Sequence, residues 1–284
     1  MASAREIKRR IRGINSILQI TKAMELVSTA KLRKARIRLE ATRPYFETVL
    51  DDIQEILGLV GDAHPLVKKR EEKTILYIVL TSDRGLAGGY NANVQRLSEE
   101  TAKKRSAKAK LFVVGSKAKE YFARRNYDIL ESYTGISDAP SFEHAKNLAT
   151  TALDLYRDGT VDAIDLVYTR FESTLKYTPK VERLLPSEEL EAKADKKAST
   201  LVEFEPSPEA VLDYLIPMYV ESCIYGALIE AAASEQGARR LSMENATDNA
   251  NEMIEELETN FNRARQAAIT NEITEIVSSV DAVQ

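Results

Sequence analysis

Apolar residues near the start of the chain keep a helical period. Ile7, Ile11, Ile14 and Leu18 step by 4, 3 and 4. Further on, Leu32, Ala35, Leu39, Thr42, Phe46, Val49, Ile53, Ile56 and Val60 alternate steps of 3 and 4 throughout. A stripe this narrow is a coiled-coil seam, whereas a globular surface helix carries a broader face. Ser3 and Glu6 have the spacing of a capping box, and Gly58, Gly61 and Pro65 supply the stop. Pro44 lies inside the pattern and predicts a bend or a missing hydrogen bond. At 1.5 Å per residue such a helix spans roughly 80 Å, more than a compact domain of this size can bury.

The far end repeats the design. Ala246, Ala250, Met253 and Leu257 step by 4, 3 and 4, and Ile269, Ile273, Ile276 and Val280 continue the period. Leu212, Leu215, Tyr219, Cys223, Ala227 and Leu228 form a similar face upstream. Gly226 and Gly237 weaken the helix locally, and Pro217 predicts a kink or a later start. Two seams at opposite ends of one chain are most simply buried against each other. The intervening segment lets the chain return, so the pair is expected to be antiparallel, with Ala30, Ala35, Ala246, Ala250, Ala264, Ala267 and Ala268 permitting close approach.

The middle of the chain changes character. Apolar, β-rich runs at Thr74–Thr81, Lys110–Gly115, Ile129–Tyr133, Ala163–Phe171 and Lys176–Leu184 predict strands. Helical patterns fit Ala92–Lys104, Lys117–Arg125 and Phe142–Asp158, and the alternation predicts an α/β sheet of parallel strands. Pro186–Thr200 is charged and poor in apolar residues, the composition of a solvated connection. The expected division is 1–60 for the first long helix, 72–206 for the α/β domain and 208–284 for the second long helix.

Charge supports the pairing of the ends. The net charge of −4 conceals a segregation: Met1–Arg43 holds twelve Lys/Arg against three acids, and Leu241–Gln284 holds nine acids against Arg263 and Arg265. The basic run Lys31–Arg43 could track phosphates or anionic lipid. It lacks aromatic residues for stacking and has an acidic partner in the same chain, so no nucleic acid is expected. With 284 residues, 44% hydrophobic and 30% charged, the chain can form a core and much solvated helix surface. The single Cys223 excludes an internal disulfide and, on an apolar helical face, reads as a buried inert thiol. No apolar run approaches the ~20 residues of a membrane span, and no apolar block follows the basic start as in a secretory signal. His64 and His144 stand apart from any second ligand at zinc spacing and read as surface or loop histidines; no cofactor or metal is expected.

The stretch Thr81–Asn91, TSDRGLAGGYN, follows the first strand, where α/β proteins often hold a phosphate. Gly85, Gly88 and Gly89 do not match the dinucleotide fingerprint, and no lysine follows as in a phosphate loop. Two readings remain open. One is a divergent nucleotide site. The other is a tight turn needing positive φ, in which Asp83 or Ser82 bonds the turn's own amides and Arg84 alone reaches a partner.

Three blocks carry a resemblance: AREIKRRIRGINSILQITKAMELVSTAKLRKA at the start, TSDRGLAGGYN in the middle, and ASEQGARRLSMENATDNANEMIEELETNFNRARQAAITNEITEIV at the end. Together, and in this order, they closely resemble the gamma subunit of bacterial F-type ATP synthases. The resemblance implies a fold of class α/β: a long antiparallel coiled coil of the N- and C-terminal helices beside a Rossmann-like domain. It implies a non-catalytic subunit of a proton-transporting ATPase, acting as a rotor shaft that couples rotation of a membrane ring to ATP synthesis or hydrolysis. The implied partners are three alpha and three beta subunits, an epsilon subunit and the membrane c-ring. The implied location is peripheral, on the cytoplasmic face of the cell membrane. The runner-up reading is an α/β nucleotide-binding protein with a coiled-coil arm.

By the same resemblance, Arg265 and Gln266 match a pair that bonds a loop of a catalytic subunit, with Thr270, Glu272 and Glu275 grouped around them. Arg239 matches a basic residue tied to coupling, Met24 and Lys22 face the same region from the other helix, and Arg84 remains a candidate contact. A shaft that must not stick at one angle is expected to expose few apolar anchors. Ala87 stands where many relatives carry cysteine, and the paired cysteines of light-regulated chloroplast relatives are absent.

Overall fold

The computed structural model describes residues 4–60, 64–173, 176–187, 205 and 207–281, with the side chains of 43, 58–60, 272 and 275–281 outside the description. The Ser3 cap and nearly all of the Pro186–Thr200 stretch lie outside these residues. In chain order the elements are α1 (Ala4–Val60), β1 (Thr74–Leu80), α2 (Tyr90–Lys104), β2 (Lys108–Val114), α3 (Ser116–Ala123), β3 (Asp128–Tyr133), α4 (Phe142–Arg157), β4 (Ala163–Phe171), β5 (Tyr177–Leu185) and α5 (Pro208–Asp281). The chain forms two compact units. One joins the residues up to Ser28 with those from Arg240 onward, and the other comprises Thr29–Arg239.

The larger unit is built on a five-stranded sheet of order β3-β2-β1-β4-β5. Strands β1 to β4 are parallel, while β5 runs antiparallel to β4. The fifth strand departs from the expected all-parallel sheet for a simple reason. Only residues 172–176 separate β4 from β5, too few for a parallel crossover. Strand β1, TILYIVL, sits at the centre and is buried on both faces, as its unbroken apolar run requires.

Each face of the sheet has its own cover. Ile75, Tyr77, Val79, Leu111, Val113, Ala163 and Val167 pack with Val94 of α2 and with Ala118 and Phe122 of α3. Leu76, Ile78, Leu80, Phe112, Val114, Ile164 and Leu166 point the other way. There they meet Leu148 and Ala152 of α4, Val49, Ile53 and Leu57 of α1, and Leu212, Ile216, Val220 and Ile224 of α5. The second half of α1 and the first half of α5 are therefore core elements of the α/β unit. An apolar stretch of α5 has the length and composition of a membrane span, but most of it is buried in the protein.

Both internal prolines are accommodated. Pro44 and Pro217 lie within continuous helices, so α5 starts before Pro217, at Pro208. Proline suits a first helical position, and the Ser207 hydroxyl accepts from the Ala210 amide as a cap. His144 caps α4: its Nδ1 accepts from Ser141 N, and Ser141 Oγ accepts from His144 N. His64 is buried, contrary to expectation, with Nε2 3.3 Å from Asp213 and Nδ1 accepting from Leu66 N. Cys223 is buried as expected.

In the smaller unit the two helices run antiparallel, and the Thr247 hydroxyl donates to Thr21 Oγ1 at 2.9 Å. Ile7, Thr21, Ser28, Met243 and Ala250 are buried, and Ile11, Ile14 and Leu18 are half-buried. The seam on α5 differs from the expected one. Ile254, Leu257, Phe261 and Ala264 are half-buried, whereas Met253 is 54% exposed. Ile269 and Ile273 are also exposed. Counting outward from Thr21 opposite Thr247, Ala4 at the start of α1 comes opposite about Ala264. Ile269 and Ile273 lie past that point, beyond the described residues of α1.

One buried ionic cluster was not visible in sequence. Asp165 on β4 is fully buried between Arg105 and Arg183: Arg105 donates to its Oδ2 at 2.6 Å and Arg183 Nε to its Oδ1. Arg183 also donates to Glu72 at 2.6 Å, and that hydrogen bond holds the Glu72 carboxyl below its ordinary range. Removing one partner of a buried ion pair leaves the others uncompensated. Asp165→Ala is expected to lower unfolding free energy by about 3–5 kcal/mol, read by urea denaturation of the full chain. A loss as small as that of a surface pair would contradict the assignment of Asp165 as a buried anchor.

Candidate functional site at the crest of the sheet

The TSDRGLAGGYN loop leaves the carboxyl end of β1 and is fastened through Thr81, Ser82, Asp83, Tyr90 and Asn91. Thr81 Oγ1 donates to Val114 O and accepts from Ala118 N, joining β1 to β2 and α3. Ser82 donates to Arg84 O at 2.6 Å, which holds the turn, and its amide donates to Asn91 Oδ1. Gly88 has positive φ, as a turn of this kind needs, and Leu86 adopts φ 63 without being glycine. Gly115 allows β1 and β2 to end side by side: at φ 92, a Cβ there would lie 2.4 Å from Thr81 O.

Asp83 does more than the turn reading asked of it. Its Oδ1 accepts from the amide and hydroxyl of Ser116, at the first turn of α3, both at 3.0 Å. Its Oδ2 accepts from Gly135 N at 2.9 Å and from the hydroxyl and amide of Ser137 at 3.0 and 3.4 Å. One carboxylate thus ties the loops after β1, β2 and β3. Burial works to raise its pKa. The hydrogen bonds from Gly135, Ser116 and Ser137 overcome that and hold it below the ordinary 3.8.

From the other side, α5 closes on the loop. Arg239 is 6% exposed, pairs with the buried Glu235 at 2.7 Å, and donates to Gly85 O at 3.2 Å and Arg84 O at 3.4 Å. Burial raises the Glu235 carboxyl and the Arg239 charge opposes that shift. Tyr90 is fully buried and donates to Ala231 O, and Ser234 donates to Thr169 O at the end of β4. Asp138, next to Ser137, accepts from Lys31 of α1 and Gln236 of α5, each at 3.0 Å. No sequence signal marked Asp138, since its partners lie 107 and 98 residues away.

The candidate residues separate into two groups. Arg84 and Arg239 meet at the crest, where the Arg84 side chain is exposed and Arg239 is turned inward. In the smaller unit Lys22, Arg265, Gln266 and Thr270 are exposed and Met24 is half-buried. Thr270 donates to Gln266 O within the helix. Glu272 and Glu275 lie on α5 with side chains outside the described residues. Ile17, Ile20, Leu26 and Val27 are also exposed in this unit, together with Met253, Ile269 and Ile273, so its surface is more apolar than expected.

Comparison with known proteins accounts for both units together. A family model described as ATP synthase matches residues 3–283. The ATP synthase gamma chain of Alkaliphilus metalliredigens is 48% identical, covering 98% of each chain. That of Moorella thermoacetica is 47% identical over the whole of both. A gamma chain named as sodium ion specific, from Acetobacterium woodii, is 45% identical over 99% of both. A solved chain from the central stalk and c-ring of Tetrahymena thermophila mitochondrial ATP synthase is 28% identical, with a TM-score of 0.62 over 80% of this chain and 99% of that one. A chain from Euglena gracilis mitochondrial ATP synthase shares the fold, with a TM-score of 0.72 over 99% and 94% at 20% identity. This chain belongs to the ATP synthase gamma chain family.

The Asp83 knot predicts a pH dependence. A carboxylate with a depressed folded pKa contributes its full stabilisation above the unfolded value and loses it as pH falls through the folded one. The stability gap between the native chain and Asp83→Asn is therefore expected to be full at neutral pH and to close below 3.8. Urea denaturation at stepped pH reads it. A gap independent of pH would show that the charge contributes nothing.

Proposed function

We propose that the chain is the central rotor shaft of an F-type ATP synthase, converting rotation of a membrane ring into ATP synthesis in a surrounding catalytic ring, and the reverse. The observation that carries this reading is similarity over nearly the full length to gamma chains at 42–48% identity. In this reading residues 1–60 and 208–284 supply the shaft and 72–206 the α/β domain. Three alpha and three beta subunits surround the helix pair. The epsilon subunit and the c-ring meet the foot and hold the protein, peripherally, at the cytoplasmic face of the cell membrane. The exposed apolar residues of the helix pair support burial inside a partner, and the end of α5 beyond Ala264 has surface to offer one.

The chain acts here by position, without bond chemistry. The polar groups of Arg265, Gln266 and Thr270, with those of Glu272 and Glu275, supply contacts that can be made and broken against successive catalytic subunits. Lys22 and Met24 add contacts from α1. Arg239 acts indirectly, by fixing the loop that presents Arg84. The coupled ion in this reading is the proton.

Reconstitution tests the reading. With the partner subunits in vesicles, ATP hydrolysis is expected to drive proton uptake only when this chain is present; sodium uptake instead would correct the ion. Replacing Arg265 and Gln266 together by Ala is expected to lower turnover and coupled synthesis several-fold while the isolated chain keeps its melting temperature. Unchanged coupled synthesis in the double variant would remove those two residues from the contact.

A further inference from the structure

At one corner of the sheet the apolar cover stops short. Lys180 and Glu182 of β5 sit opposite Tyr168 and Leu166 of β4, and so on the face that carries the main core. A cavity of about 640 Å³ lies there, walled by these strands, α1, α5 and the start of α4. Its apolar wall is aromatic: Tyr45 and Phe46 of α1, Phe142 of α4 and Tyr225 of α5. Phe46 stacks on Tyr219 with centroids 5.8 Å apart, and Phe142 meets Tyr225 edge-on at 5.6 Å. Tyr45 and Phe142 nevertheless remain 48% and 41% exposed. Gly226 completes the wall. It lies inside α5, where glycine is disfavoured, takes no positive φ, and a Cβ there would meet nothing within 4 Å. Neither the helix nor its packing calls for glycine at this position; what it leaves is room in the cavity.

The polar wall is unevenly satisfied. Glu182 accepts from the Tyr168 hydroxyl at 3.0 Å and from Lys180 at 2.6 Å. Arg170 and Glu47 are exposed to solvent. Glu230 is half-buried, and its one hydrogen bond among the described residues is a long one, from Phe171 N at 3.4 Å. Burial pushes its carboxyl above the ordinary 4.5, against the opposing pull of the Phe171 bond and the Arg170 charge. A carboxylate held this way is costly until a cation joins it. We propose that the cavity is a binding site for a small organic monocation, an amine carrying an apolar group, with its ammonium on Glu230 and its apolar part among Tyr45, Phe46, Phe142 and Tyr225. The volume falls in the range of small-molecule sites, roughly 300–1,000 Å³, and aromatic walls with few polar groups are their usual lining. Aromatic rings attract cations as well as apolar groups, and an ammonium on a carboxylate makes a charge-assisted hydrogen bond. An anion would instead meet Glu230 and Glu182, with Lys180 already engaged. All of these residues lie within Thr29–Arg239, so the site does not depend on a partner subunit.

Three probes of nearly one shape test it by titration calorimetry on the full-length chain at neutral pH: phenylbutylammonium, phenylbutanol and phenylbutyrate. The ammonium is expected to bind saturably and about tenfold more tightly than the alcohol, the scale of a hydrogen bond to a charged group, with the carboxylate weaker still. Glu230→Gln keeps the shape and removes the charge. It is expected to bring the ammonium down to the affinity of the alcohol. Gly226→Leu keeps the charge and fills the cavity. It is expected to abolish binding of both while melting no lower than the native chain, since leucine favours a helix. If Glu230→Gln does not fold, the three probes on the native chain and on Gly226→Leu carry the test. Any of four results overturns the proposal: no saturable binding of the ammonium, equal affinity for ammonium and alcohol, a charge preference that survives in Glu230→Gln, or unchanged binding in Gly226→Leu.

Discussion

A parallel sheet must hide both of its faces, and this constraint organises the larger unit. Helices α2 and α3 cover one face of β1, β2 and β4. The connections leave only α4 for the other face, which is too little. The second half of α1 and the first half of α5 complete it, placing Ile53, Leu57, Ile216 and Ile224 at zero exposure against the sheet. Each such side chain contributes about 1.5–3 kcal/mol of burial. The terminal helices are therefore held by the same core that holds the sheet, and their other halves form the helix pair of the smaller unit.

The crest depends on that arrangement. Because α5 lies over the carboxyl ends of β1 and β4, Arg239 and Ser234 reach loop and strand carbonyls, and Tyr90 finds a partner while fully buried. Asp83 completes the closure from the β2 and β3 side. A loop that looks in sequence like a place for phosphate is thereby used for structure. Its glycines serve a turn at Gly88, and the neighbouring Gly115 permits a close strand approach. The crest leaves the side chains of Arg84 and Leu86 exposed.

Much of this was legible in the chain. The alternation of 3 and 4 from Leu32 to Ile56 located the less exposed face of α1 without error, because the period of a helix is local. All five strands were found within two residues of their ends. Three things were not legible, each because it depends on a distant partner. Met253 and Ile273 fit the period of a seam but are exposed. The direction of β5 follows from the length of a turn rather than from strand composition. The carboxylates Asp83 and Asp165 look alike in sequence; one gathers amides and the other arginines, and only the fold brings those donors to them. The partner contacts assigned to Arg265 and Gln266 rest on resemblance, since an exposed helix residue carries no signal of what it touches.

The central claim is that this chain is one asymmetric shaft inside a ring. Native mass spectrometry of complexes isolated through a tag inserted between Glu188 and Ala198, away from both termini, tests it most directly. The account predicts one copy of this chain with three catalytic and three non-catalytic ATPase subunits. Recovery of the chain alone, or with unrelated proteins and a nucleotide of its own, would contradict it.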